Sequence, residues 1–232
     1  MHGSAHDSLT ARGGLPRRRP RPEVTWFLSV ALRLATLLMI TILVAELLER
    51  MPGAMATAPF DAAIIRALAE HRVGWLTASF QMITGLGGEG FLVVVVLAAG
   101  LILRRQTNSW RPLFVLLAVA IGAVVLERVI KLVVARPRPP AAWMVIQEKG
   151  CAFPSGHAIR SATVYGGLAY LATRINALGR RIHVALWMLA AGLSFLVGVS
   201  RVYLGVHWPT DVIGGWILAI AWLWLALSGP PL

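Results

Sequence analysis

Residues 112–134 read PLFVLLAVAIGAVVLERVIKLVV, and 112–126 of that run carry no charge. A helix rises about 1.5 Å per residue, so about 20 apolar residues cross the roughly 30 Å hydrocarbon layer of a bilayer. The run therefore predicts a membrane-spanning helix over about 112–134 that ends in the proline-rich stretch 135–142. Towards the N-terminus, two further runs read the same way. One covers 26–48, with Trp26 at one interface and Glu49 and Arg50 at the other. The other is less regular: 73–90 is apolar but broken by glycines at 85–90, and its firm part is 91–103, closed by Arg104 and Arg105. Towards the C-terminus, spans are expected from Pro154 to about 173, over 183–199 and over 209–227. The segment 51–72 is more polar, yet 62–69 has apolar residues at helical spacing, which suits a short helix lying at the interface. The expected fold is an all-α, six-transmembrane helical bundle with that interfacial helix between spans one and two.

Composition agrees. Hydrophobic residues make up 57% of the chain and charged ones 14%, against about a quarter charged in soluble domains, and the mean hydropathy is +0.71. The net charge of +12 does not mark a nucleic-acid binder, because the basic residues sit in short segments between apolar runs. The tail, the 104–111 loop and the 174–181 loop are all arginine-rich, and six spans place all three on one side; positive loops face the cytoplasm. Residues 1–22, with arginines, Pro16, Pro20 and Pro22 and little apolar content, read as a disordered cytoplasmic tail, and 23–232 as the membrane domain. The span after the tail is too long for the core of a cleaved signal peptide. Cys151 is the single cysteine, so no internal disulfide framework exists.

The same topology brings three polar clusters to the opposite, outer surface. They are Lys131 with Arg136-Pro137-Arg138-Pro139, then Pro154-Ser155-Gly156-His157, and then Ser200-Arg201 with His207 and Asp211. Taken singly, Lys131 reads as a lysine snorkelling from a span end, although it is one of two lysines beside twenty arginines. Arg136 reads as a headgroup or solvent contact, and His71 and His183 as interfacial residues. Histidines inside a membrane protein that share a surface with cations are functional by default.

Together the three clusters, Lys-x6-Arg-Pro, Pro-Ser-Gly-His and Ser-Arg-x5-His-x3-Asp, resemble the three signatures of the type 2 phosphatidic acid phosphatase superfamily, to which the vanadium haloperoxidases are related. The resemblance covers 131–211. It implies a lipid phosphatase working through a phosphohistidine, with His207 as nucleophile, Asp211 orienting its second ring nitrogen, and His157 as the acid and base. It also implies that Lys131, Arg138, Ser155, Gly156 and Arg201 bind the phosphate. Physical chemistry fits these roles. Phosphoryl transfer needs cations on the equatorial oxygens, arginine forks suit phosphate, and a helix start at Ser155-Gly156 would offer free N–H groups to an anion. Neither a metal nor another cofactor is expected, since three cations supply the charge.

Arg160 lies one turn beyond His157 in an apolar setting, where an unpaired charge is expensive. Arg160 and Glu89 are candidates for substrate selection, Arg160 through a second phosphate or headgroup; the alternative is that Arg160 pairs with an acid such as Glu89 or Glu127. Expected partners are the bilayer and a lipid phosphate: an isoprenoid diphosphate such as undecaprenyl diphosphate, phosphatidic acid or phosphatidylglycerophosphate. The expected location is the bacterial inner membrane. A lipid phosphotransferase and a non-catalytic transporter or scramblase stay open as alternatives.

Overall fold

The computed structural model describes residues 22–49, 59–175 and 179–228; the expected tail before Pro22 lies outside them. Eight α-helices follow in order: α1 Pro22–Glu49, α2 Pro59–Glu70, α3 Gly74–Gly85, α4 Glu89–Thr107, α5 Arg111–Val134, α6 Gly156–Ile175, α7 Arg180–Tyr203 and α8 Pro209–Leu227, with a 3₁₀ turn at Ala141–Trp143. No strand occurs among the described residues, so the all-α expectation holds.

Four helices, α4, α5, α7 and α8, are long and apolar enough to cross a membrane, and α1 adds the apolar stretch Leu28–Met39. The helix over the expected fourth span, α6, is long enough at 20 residues but carries Arg160, Ser161 and Thr163 near its start. Its position explains that polarity. Helices α4, α5, α7 and α8 all pack on α6, and Ile159, Ser161, Thr163 and Leu171 are fully buried. A helix surrounded by protein rather than lipid tolerates small and polar residues. On the outside, Leu101, Phe114, Met188, Phe195, Ile217 and Trp224 are exposed, as a lipid-facing surface requires.

The interrupted second run resolves into two helices. The N–H groups of Leu86, Gly87 and Gly88 bond back to Ile83, Thr84 and Gly85, and this tight turn separates α3 from α4. A Cβ at Gly87 would collide with Val197 and press on His157, so the turn sits directly against α6 and α7. The helix expected over 62–69 is α2. Its Asp61 and Ile65 are buried completely, Ile65 in a small cluster with Ala152 and Trp208.

The end of α5, the start of α6, the end of α7 and the start of α8 converge. Ser155 N–H bonds Asp211 O at 3.0 Å, Ala152 N–H bonds Arg136 O at 2.8 Å, and Val145 N–H bonds Leu204 O at 2.9 Å. Arg72, between α2 and α3, donates to Tyr203 O (3.0 Å) and Trp143 O (2.6 Å), tying the chain to a carbonyl at the end of α7, where helices leave carbonyls without partners, and to the 3₁₀ turn. Burial lowers the Arg72 guanidinium below its ordinary value, partly offset by Tyr203. Gly205 has φ +73° and no room for a Cβ beside Trp143 O; this turn swings His207 back over the helix ends.

Candidate active site

His207 lies in the turn between α7 and α8, 1% exposed. Pro209 occupies the first position of α8 and Trp208 caps it, as the proline's fixed φ favours. Arg138 Nη1 donates to Val206 O at 2.7 Å and lies 3.2 Å from His207 Nε2. A guanidinium cannot accept a hydrogen bond, so Nε2 carries the lone pair and the ring proton sits on Nδ1. That nitrogen faces Asp211 Oδ2 at 3.5 Å. The contact is too long and misaligned to be a hydrogen bond, and Nδ1 has no other partner among the described residues. Burial, then Arg138 and Arg201, hold the His207 imidazole well below its ordinary range, against the opposing pull of Glu148. The ring is therefore neutral at working pH.

Arg201, 1% exposed, donates to Thr84 Oγ1 at 2.8 Å and pairs with Glu148 Oε1. Arg138 Nη1 reaches the other oxygen, Glu148 Oε2, at 3.0 Å. One carboxylate thus bridges two of the guanidiniums that the sequence assigned to phosphate. Burial pushes the Glu148 carboxyl up, but Arg201 and Arg138 outweigh it and leave the group below the ordinary carboxylate range.

His157 opens α6 beside the Gly87 turn, within electrostatic range of Arg201, Arg160, His207 and Lys131. Ser155 is fully buried, and its Oγ has no partner among the described residues. Its N–H is not free for an anion as expected, because Asp211 O takes it; α6 itself starts at Gly156. The Cβ space of Gly156 is filled by Glu127 Oε1, with Arg160 Nη2 at 2.8 Å, so that glycine admits a side-chain carboxylate beside the start of α6.

Glu127 bonds Lys131 Nζ at 2.8 Å. Arg160 pairs with Glu127 at 3.3 Å and Glu89 at 2.7 Å, and Arg128 lies 3.8 Å from Glu89. The acids expected as alternatives to a second phosphate thus both hold Arg160. From Glu89 and Arg160 an apolar groove of about 290 Å³ runs down between α4 and α5, lined by Leu92, Val93, Val96, Leu117, Ile121 and Val125.

One expectation is corrected. Arg136 does not face headgroups or solvent; at 8% exposure it donates to Asp211 Oδ1 (2.6 Å), Thr210 Oγ1 (2.7 Å) and Asp61 Oδ2 (2.8 Å). Asp61 and Glu148 are site residues that motif spacing missed. Asp61 carried a faint signal as the one acid opening the apolar pattern of α2; Glu148 carried none. Among the described residues, no cluster of three or more His, Cys, Asp or Glu side chains has metal-holding geometry.

The sequence profile of the PAP2 superfamily matches residues 109–231, and phosphatidylglycerophosphatase B of Bacillus subtilis is 36% identical over 69% of this chain and 78% of its own. The chain belongs to the PAP2 superfamily. Undecaprenyl-diphosphatase of Sulfolobus acidocaldarius is 28% identical over 81% of this PAP2 chain and 86% of its own. The crystal structure of a transmembrane PAP2-type phosphatidylglycerolphosphate phosphatase from Bacillus subtilis superposes with a TM-score of 0.70 at 28% identity, over 89% of this PAP2 chain and 94% of that one. These likenesses and the apolar helices make it a multi-pass membrane protein.

Proposed function

We propose that this PAP2 protein is a lipid phosphatase in which His207 Nε2 attacks phosphorus while Arg138, Arg201 and Lys131 hold the phosphate. The observation that carries the reading is the buried His207 with its Nε2 3.2 Å from a guanidinium that already grips a carboxylate. In the first step an Nε2–P bond forms and the ester P–O bond breaks; His157 gives its proton to the leaving oxygen. The phosphoimidazolium keeps its Nδ1 proton, which Asp211 receives as a closer hydrogen bond. Water then attacks phosphorus, His157 takes its proton, and phosphate leaves from a regenerated His207. Ser155 Oγ and the N–H groups from Gly156 onward add donors to the phosphate.

Helices α1, α4, α5, α6, α7 and α8 act as six spans, with residues 1–22 and the 104–111 and 174–181 loops on the cytoplasmic side. The site then opens at the outer face of a bacterial inner membrane, and α2 lies at that surface. The groove below Glu89 and Arg160 supports a lipid substrate, since it offers an apolar chain a route ending at Arg160, whose partner Glu127 also holds Lys131. The substrate class is a phosphatidylglycerophosphate-like monoester or an undecaprenyl-type diphosphate, as the names of the relatives suggest. Phosphate release from both, compared by kcat/KM, with trapping of an acid-labile phosphoenzyme, tests the reading. Release without such a phosphoenzyme would overturn the histidine mechanism.

Two further outcomes are expected. Ile121→Trp, which fills the groove, should raise KM for long-chain lipid phosphates in micelles about tenfold, the worth of roughly two displaced methylenes. A dihexanoyl analogue should be unaffected; equal change on both would place the chain elsewhere. Glu148→Gln should tighten inhibition by inorganic phosphate or vanadate about tenfold, since a phosphate on Arg138 and Arg201 must displace this carboxylate. A carboxylate held below its ordinary range stays charged, and stabilises the fold, throughout the neutral range; that contribution fades as pH falls through its folded value. The difference between the inhibition constants of Glu148→Gln and the native protein should therefore persist at about pH 6–8 and shrink on strong acidification.

A further inference from the structure

Asp61 has no exposed surface, and an isolated buried carboxylate is costly. It is satisfied by three donors, all tied to the start of α8. Thr210 N–H reaches Oδ1 at 3.2 Å, while Thr210 Oγ1–H and Arg136 Nη2 reach Oδ2 at 2.5 and 2.8 Å. Helix α2 therefore caps the first turn of α8 from outside, using an acid 149 residues away in sequence from the threonine it binds. Arg136 then spans two acids. Its Nη2 faces Asp61, and its Nη1 is shared between Thr210 Oγ1 and Asp211 Oδ1. With Oδ1 of Asp211 occupied, Oδ2 is the oxygen left to face His207, steadied by the Trp208 N–H at 2.9 Å.

We propose that Asp61 and Arg136 are positioning residues that set the rotamer and charge of Asp211, and through it the orientation of His207. This rests on the assignment of His207 as nucleophile. The chain of alternating charge gives a physical reason for two acids around one arginine. A lone Arg136 would grip Asp211 with both nitrogens and neutralise it, drawing it away from the imidazole. Asp61 takes one arm of the guanidinium fork, so the three groups keep one net negative charge, which complements the ring when it becomes a phosphoimidazolium. A staple between α2 and α8 alone would need neither Arg136 nor a charge.

The test is Asp61→Asn, which retains an acceptor for Thr210 N–H but loses the charge. Outer-shell partners of a reacting group are typically worth about 10- to 100-fold. The expected result is a kcat decrease of that size with KM and the vanadate inhibition constant unchanged. Arg136→Lys, which keeps charge but not the fork, should do the same; it serves as the second variant if Asp61→Asn is poorly folded. In an Asp211→Asn background, single-turnover phosphoenzyme formation should no longer respond to Asp61→Asn. Native kcat in both single variants, a loss confined to KM, or an undiminished effect in the Asp211→Asn background would overturn the proposal. His207→Ala separates the two ideas: activity surviving there removes the nucleophile assignment itself, whereas an inactive His207→Ala beside a fully active Asp61→Asn removes only the positioning role.

Discussion

His207→Ala is expected to lower kcat by about 10⁵- to 10⁶-fold, the scale on which removal of an acting nucleophile registers in other covalent hydrolases. The physical reason is local. His207 Nε2 is the one nitrogen of the pair with a free lone pair, and the same turn presents it to Arg138. Asp211 cannot take its place, since it faces the opposite ring edge and is held by Arg136 and Trp208. Some stability should be lost as well, because His207 is buried and its Nε2 meets Arg138, so folding of the variant must be checked beside its activity. Phosphate release and phosphoenzyme labelling should vanish together in a variant that still purifies as a folded membrane protein. Labelling that persists would point to another nucleophile.

Arg201→Ala is the second large effect, expected to reduce kcat by about 10³- to 10⁴-fold, within the range for an arginine that stabilises a transferring phosphoryl group. Arg201 is almost fully buried near the end of α7, with one guanidinium nitrogen set on Thr84 of α3 and the other on Glu148. That fixed fork is aimed before substrate arrives, so little reorganisation is needed as charge builds on the phosphate oxygens. Arg201→Lys should recover only part of the loss, since an ammonium supplies charge without the two-pronged geometry. The two variants should also lose vanadate inhibition in the same order. Activity within about tenfold of native for Arg201→Ala, far short of the loss expected for a phosphoryl-stabilising arginine, would show that Arg138 and Lys131 suffice.

Much of this protein could be read before folding was considered, because the governing signals are local. Hydropathy and helical rise located α5 over 112–134, within a residue of Arg111–Val134, and α8 over 209–227, matching Pro209–Leu227. The pairing of Arg160 with Glu89 and Glu127 was foreseeable from the cost of a bare charge among apolar residues. What hydropathy judged less well is α6, whose polarity makes sense only once its neighbours surround it.

The sequence by itself determined most of the helices, because they depend on residue type and short spacing, and its resemblance to the superfamily named the side chains proposed to hold the phosphate. Only the tertiary structure decided how those side chains are held. Asp61 meets Arg136, and Arg136 meets Asp211, across 75 residues in each case; Glu148 bridges Arg138 and Arg201 from a loop with no periodic pattern. The Ser155 N–H, free by local reasoning, goes to Asp211 O because α6 and α8 start side by side. Such partners are chosen by how chain ends converge in space, and burial then forces every polar group there to find one.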